Sequence, residues 1–320
     1  MKYALLLLSV ATSIVIFSQN ATQNEITSAT LPEKSVSMLA VGDIMLGRSV
    51  NTRSAQNGYD WPFRETHALL SESDITVGNL ESPLALNCPL TNEGMIFCGD
   101  EKQIAGLKYA EIDIVNLANN HGIDQGTDGI SDTKEILTNE NINYIGSTEQ
   151  PLIIEVGGIS FGLLGYNTIF PESSDLAWGH KETVVNDISS LSESVNHVIV
   201  SFHWGNEYTN TITPLQNELA HAAIDAGADI VIGHHPHWVQ KNELYKEKPI
   251  YYSLGNFVFD QMWSQKTREG LAIQVTFAEN TMSQIKHFPI VIENYGQPRL
   301  ANEKESATIL EYSQIESFFD

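Results

Sequence analysis

The densest chemistry in the chain lies in Ala228-Asp229-Ile230-Val231-Ile232-Gly233-His234-His235-Pro236-His237-Trp238. A β-branched apolar run ends abruptly in glycine and three histidines. The apolar part reads as a buried strand whose carboxyl end delivers several imidazoles to one place. Neutral imidazole is the commonest protein metal ligand, and Pro236 fixes a backbone dihedral between His235 and His237. Four more apolar runs end in side chains of ligand type: Asp43, Glu81, Asn120 with His121, and His203. With His235 and His237 these make two carboxylates, one amide and four imidazoles. Oxygen and nitrogen donors without thiolate suit Zn, Mn, Fe, Co or Ni rather than an iron–sulfur centre. Such a set accommodates one or two divalent cations, and a pair of them clamps a phosphoryl oxygen and activates water near neutral pH.

These side chains meet only if the elements carrying them are parallel and in register. The sequence predicts strands over residues 35–41, 75–78, 112–117, 197–202, 228–232 and 250–254. Helical patterns fall between them near 62–72, 101–110, 127–139 and 214–226, the last with Pro214 in its first turn. Strands alternating with helices imply a largely parallel sheet with right-handed crossovers, in which sites form outside the carboxyl ends of the strands. Residues 152–156 and 159–164 flank Gly157-Gly158 as a hairpin, and 271–277 and 285–292 read as antiparallel strands. No repeat, low-complexity tract or composition break divides residues 36–320, so they read as a single domain.

At the N-terminus, Lys2 precedes an apolar run to Phe17, of signal-peptide length and short for a spanning helix, which needs about 20 apolar residues. Residues 1–19 read as a signal peptide or membrane anchor and 20–35 as a polar linker. The mature chain is therefore expected outside the cytoplasm: secreted, periplasmic or anchored by its N-terminus. The two cysteines, Cys88 and Cys98, would then meet an oxidising compartment. They could close a short loop or stand as two thiols; we expect the disulfide. Seventeen Lys and Arg oppose 40 Asp and Glu, a formal charge of −23, and that field opposes binding to nucleic acid or anionic membranes.

The set Gly-Asp43, Asn-Leu-Glu81, Asn-Asn120-His121, His203-Trp-Gly and Gly-His-His235-Pro-His237 resembles the CapA family of poly-γ-glutamate capsule biosynthesis, a relative of the calcineurin-like metallophosphoesterases. Leu254-Gly255-Asn256-Phe257-Val258-Phe259-Asp260 also resembles a signature of that family, and the likeness spans roughly residues 36–295. It implies a four-layer α/β/β/α sandwich of mixed sheets, with metal ligands Asp43, Glu81, Asn120, His203, His235 and His237 at the strand carboxyl ends. It also implies a cell-envelope role in making, exporting or attaching an anionic glutamate polymer, beside membrane proteins of capsule synthesis. The phosphoesterase pattern opens Asp-x-His, whereas Asp43-Ile44-Met45 carries a thioether. The acid expected after Asn-His is replaced by Gly122, and Asp124 is the candidate to orient His121 instead. Trp204 is a candidate to touch substrate, and Asn256 a candidate to touch substrate or to act as a polar support of the site.

Three functional classes follow: a CapA-like handler of poly-γ-glutamate with a hydrolase-type metal site, a metal-dependent phosphoesterase with His121 protonating the leaving group, and a non-catalytic envelope component with a structural metal. In the first two, the substrate is an anionic polymer or a phosphoester. The ligand types further predict two unequal metal positions: Glu81, Asn120, His203 and His235 at one, and Asp43, a shared Glu81 and His237 at the other.

Overall fold

Runs such as Val198-Ile199-Val200 and Ile230-Val231-Ile232 carry no polar alternation because both faces of their strands are covered. The computed structural model describes residues 34–149 and 151–319, all within one compact unit, Pro32–Asp320. The leader, and the linker up to residue 33, lie outside the described residues. Along the chain run β1 (Val36–Ile44), α1 (Arg48–Asn57), α2 (His67–Leu70), β2 (Ile75–Leu80), β3 (Leu84–Ala85), β4 (Gly99–Asp100), α3 (Ile104–Tyr109), β5 (Ile114–Asn116), α4 (Gly126–Asn139) and β6 (Asn143–Ile145). Then follow β7 (Leu152–Val156), β8 (Ile159–Asn167), α5 (Lys181–Ser192), β9 (His197–His203), α6 (Pro214–Ala226), β10 (Ile230–His234), β11 (Asn242–Tyr245), β12 (Lys248–Tyr251), β13 (Asn256–Val258), β14 (Glu269–Ala278), β15 (Thr281–Glu293), β16 (Gln297–Leu300) and α7 (Glu303–Ser313).

Among the described residues the first large sheet has the order β16-β15-β14-β1-β2-β5-β6, with β13 pairing the end of β1. Its β1, β2, β5 and β6 are parallel, and β14 to β16 extend it antiparallel. The second has the order β11-β12-β10-β9-β8-β7, parallel from β12 to β8 with an antiparallel strand at each edge. Period-two alternation sorts the apolar side chains into three layers of core. Met38, Ala40, Ile75, Val77 and Ile114 of the first sheet meet Phe161, Leu163, Ile199, Ile230 and Ile232 of the second. Leu39, Val41 and Val115 face the other way, against Leu107 of α3 and Ile130 and Leu137 of α4. Val198, Val200 and Val231 pack outward on Val184 and Ile188 of α5 and Leu219 and Ala223 of α6. The result is the four-layer α/β/β/α sandwich.

Local signals explain the boundaries. Helix α6 opens on a capping box between Thr213 and Gln216, has Pro214 in its first turn, and closes on Gly227 in the left-handed region. Gly157 and Gly158, at φ 59° and 78°, turn the β7–β8 hairpin. The helix expected over 62–72 is instead a 3-10 turn at Trp61–Phe63 and the short α2. Among the described residues no helix is long and apolar enough to cross a membrane.

Candidate metal centre

On each inner strand the side chains facing the other sheet change from apolar to polar at the carboxyl end. On β2 the file runs Ile75, Val77, Asn79 and continues to Glu81; on β9 it runs Ile199, Ser201, His203; on β10, Ile230, Ile232, His234; on β5, Ile114, Asn116. Strand β1 would break this rule, since Met38 and Ala40 face inward and Asp43 has the opposite parity. A bulge between Ala40 and Asp43 inserts the extra residue and re-aims the carboxylate inward. Gly42 lies in that bulge, where a Cβ would collide with the Gly255 carbonyl. After β10 the chain turns sharply, with His235 and His237 at φ 94° and 56°. Left-handed backbone at non-glycine residues costs of order 1–3 kcal/mol each and persists where surrounding contacts fix it. Here the His235 N–H donates to Asp43 Oδ2 (3.3 Å) and Tyr208 N–H donates to the Pro236 carbonyl (2.9 Å).

Asp43 is fully buried. Its Oδ1 accepts from Asn79 Nδ2 (2.9 Å) and lies 3.2 Å from His234 Nδ1, while its Oδ2 lies 3.4 Å from His237 Nδ1. Burial opposes its ionisation, but His234 and His237 outweigh burial and hold its carboxyl well below the usual range. Asn79 also lies 3.2 Å from His203 Nδ1, and Asn116 at the end of β5 and Asn119 in the loop after it brace it. His203 Nε2 pairs with Asn120 Oδ1 at 2.7 Å. Asn256 Oδ1 pairs with His237 Nδ1 at 2.9 Å, which leaves Nε2 to point at Glu81 and Glu207, 3.8 and 3.7 Å away. Burial, with His235 beside it, pushes His203 well down; burial and His237 bring His235 down to about 4. His237 goes the other way. Burial disfavours its charge, but Glu81, Asp43 and Glu207 raise it well above the ordinary value.

Glu81 decides what this arrangement needs. It is fully buried, and neither carboxylate oxygen has a hydrogen-bond partner. Burial and the charge of Asp43 push its carboxyl well up. A buried carboxylate without donors is costly, and His203 Nε2 and His237 Nε2 both approach Oε1 only to 3.8 Å. Neutral imidazoles and an unpartnered carboxylate are the donors that a divalent cation takes, so the residues fit a metal. Ligand atoms within 4.8 Å of one another form two groups, Glu81 with His235 and His237, and Asp43 with Glu81 and His203. Glu81 belongs to both. The partition expected from ligand types differs: His235 goes with His237, and His203 with Asp43.

Asp43, Glu81, Asn120, His203, His235 and His237 thus converge on one place. His121 lies beside them, with Nδ1 2.7 Å from Asp124 Oδ2, an oxygen that also accepts the Phe97 N–H at 2.6 Å. The Phe97 ring stacks on His121 at 3.8 Å, and the Arg48 guanidinium lies over the Phe97 ring at 4.6 Å. Cys88 and Cys98 are joined as a disulfide, which closes the loop presenting Phe97. The Met45 thioether accepts the Gly47 N–H (3.1 Å) and packs in the outer apolar cluster.

Two expectations need correcting. Trp204 does not touch a substrate space: it is fully buried, stacks on Phe202 at 4.4 Å and donates its indole N–H to the Tyr252 carbonyl. Strand alternation places it on the face opposite His203. Asn256 is also fully buried, with Oδ1 on His237 and Nδ2 donating to Gln261 Oε1 and the Thr267 carbonyl, so it orients a histidine. Missing from the expected set are Asn79, His234 and Glu207. The alternation Ile230-Ile232-His234 was a usable signal for the second; Glu207, in an irregular loop, had none.

The sequence profile of the bacterial capsule synthesis protein PGA_cap matches residues 37–261, from the first strand through every candidate ligand. The chain belongs to the PGA_cap family. The capsule biosynthesis protein CapA of Bacillus anthracis is 33% identical over 285 residues, covering 82% of this chain and 69% of that protein. The PGA biosynthesis protein CapA of Bacillus subtilis (strain 168) is 31% identical over 268 residues, covering 79% and 70%. Among solved structures, a novel phosphatase from Mycoplasma pneumoniae superposes with a TM-score of 0.54 at 13% identity, over 87% of this chain and 99% of that one. At that identity the likeness shows a shared phosphatase-type fold.

Proposed function

We propose that this PGA_cap family member acts outside the cytoplasm in the biosynthesis, export or attachment of poly-γ-glutamate, through a metal-dependent, hydrolase-type site. The observation that carries the site is the buried Glu81 carboxylate, unpartnered and common to both groups of ligand atoms. Asp43, Glu81, Asn120, His203, His235 and His237 would hold one or two divalent cations, of Zn, Mn, Fe, Co or Ni. A cation so held supplies Lewis-acid activation of a carbonyl or phosphoryl group. His121 is the proton donor. Asp124 holds its Nδ1 and stabilises the imidazolium, leaving Nε2 to pass a proton to the departing group. Phe97 covers the ring and limits its rotation. Beside His235 opens a cavity of about 560 Å³, lined by Thr168, Ile169, Phe170, Glu207 and Leu215 among others, which gives a substrate segment access. Capsule-synthesis membrane proteins are the expected neighbours, and the N-terminal apolar run supports export.

Purified protein should retain divalent metal and turn over at least one member of a panel of phosphodiesters, esters and γ-glutamyl amides, with turnover lost to chelator and restored by metal. A preparation that binds no divalent metal under any condition would remove the basis for this reading. Fractionation of expressing cells tests location; intact, unprocessed chain free in the cytosol overturns that part.

A further inference from the structure

We propose that Glu207 is an additional ligand of the cation position formed by Glu81, His235 and His237, and that it makes this position the one facing the substrate cavity. The inference rests on reading the site as a cation site. Two carboxylate oxygens approach the same ring nitrogen, His237 Nε2: Glu81 Oε1 at 3.8 Å and Glu207 Oε1 at 3.7 Å. The other ring nitrogen is committed to Asn256 and Asp43, so the direction of Nε2 is fixed. Among the described residues, Glu207 has no lysine or arginine at ion-pair distance; the ring nitrogen it approaches is His237 Nε2.

The loop holding Glu207 is tied to the ligand turn. The Tyr208 N–H donates to the Pro236 carbonyl at 2.9 Å, the Tyr208 ring stacks on His237 at 5.8 Å, and its hydroxyl accepts from Gln261 at 3.2 Å. Gln261 in turn accepts from Asn256, the partner of His237. The backbone carrying Glu207 is therefore tied, through Tyr208, to the contacts that set His237, which preorganises a directly bound group. Two carboxylates and two imidazoles balance a divalent charge, and the added oxygen donor suits a hard or borderline cation. The Glu207 side chain is 34% exposed, whereas those of Glu81 and His203 are fully buried. Glu207 and His235 both line the cavity. The position they share opens to substrate, and that of Asp43 and His203 lies beneath it.

The test is Co(II) titration of the wild-type protein and of the isosteric Glu207→Gln, followed by absorption in the visible d–d region and by equilibrium dialysis, with no turnover measured. Wild type is expected to take two equivalents. In Glu207→Gln one equivalent should weaken by about 10–100-fold or more, with a changed spectrum for that ion, while the other is unaffected. Glu207→Asp, which keeps the charge but withdraws the oxygen, should weaken the same equivalent by less, and it serves as the test if the glutamine variant does not fold. Two equivalents of unaltered affinity and spectrum in Glu207→Gln would overturn this inference and leave the cation reading standing. No Co(II) bound by wild type would overturn both.

Discussion

Replacing Glu81 with glutamine should make the metal-free protein more stable and the metal-loaded protein less so. In the metal-free site the carboxylates of Asp43, Glu81 and Glu207 surround one raised imidazole, His237, and Glu81 is fully buried with neither oxygen hydrogen-bonded. Glu81→Gln keeps the shape and removes a group that must either stay charged without donors or take up a proton to be buried. An amide in that place is also unpaired but carries no charge, and the difference between burying a charged and a neutral polar group is worth about 1–3 kcal/mol. For a domain of this size each kcal/mol moves Tm by about 2 °C or slightly more, so Tm in excess chelator should rise by about 2–6 °C. With metal added, the order reverses. At a concentration one hundred times Kd a single cation stabilises the folded wild type by about 2.7 kcal/mol, and the variant lacks the ligand common to both groups. The assay is thermal unfolding of the two proteins in chelator and in excess Mn(II) or Zn(II). A variant less stable than wild type in chelator would show that the Glu81 carboxylate is already compensated, and the argument from its isolation would fail.

Asp124→Asn should lower kcat by about 10²-fold or more on any substrate the wild type turns over, with KM and metal content little changed, because it removes the carboxylate that orients and stabilises His121; steady-state kinetics with elemental analysis decides. Asn256→Ala should weaken metal retention by about 10–100-fold through His237 and lower stability by about 1–3 kcal/mol by stranding the Thr267 carbonyl and Gln261, read by dialysis and urea unfolding. Reducing Cys88–Cys98, or Cys88→Ser with Cys98→Ser, should cost about 2–3 kcal/mol in guanidinium unfolding. Denatured, unreduced protein from secreted material should show no free thiol.

Most of the strand framework was legible because a strand covered on both faces needs an unbroken apolar run, and an abrupt polar residue at its end stands out. That signal located Asp43, Glu81, His203 and the His235–His237 turn. It could not say which way each side chain points. Asp43 faces inward only because of the bulge after Ala40, and no composition signal marks a bulge. Trp204 looked available because it adjoins His203, yet period-two alternation sends neighbours to opposite faces. Asn256 sits in a motif-like stretch, but its role depends on Thr267 and Gln261, which only the folded chain brings near. Helix α1, Arg-Ser-Val-Asn-Thr-Arg-Ser-Ala-Gln-Asn, has almost no apolar stripe and is placed by tertiary contacts. Glu207 lies two residues after Gly205 in an irregular loop, where sequence pattern carries no directional information.

The candidate ligands are divided between the two sheets. Asp43, Glu81 and Asn120 come with the first sheet's early strands; His203, His235 and His237 come with the second. A chain that has not brought its sheets together holds two half-sets, neither complete, and the last candidate ligand, His237, lies at residue 237 of 320. The site therefore comes into being late, when the sheets dock. Whichever compartment hosts that docking also sets which cations are on offer, so an ion taken up during folding records where the protein matured as well as what its ligands prefer.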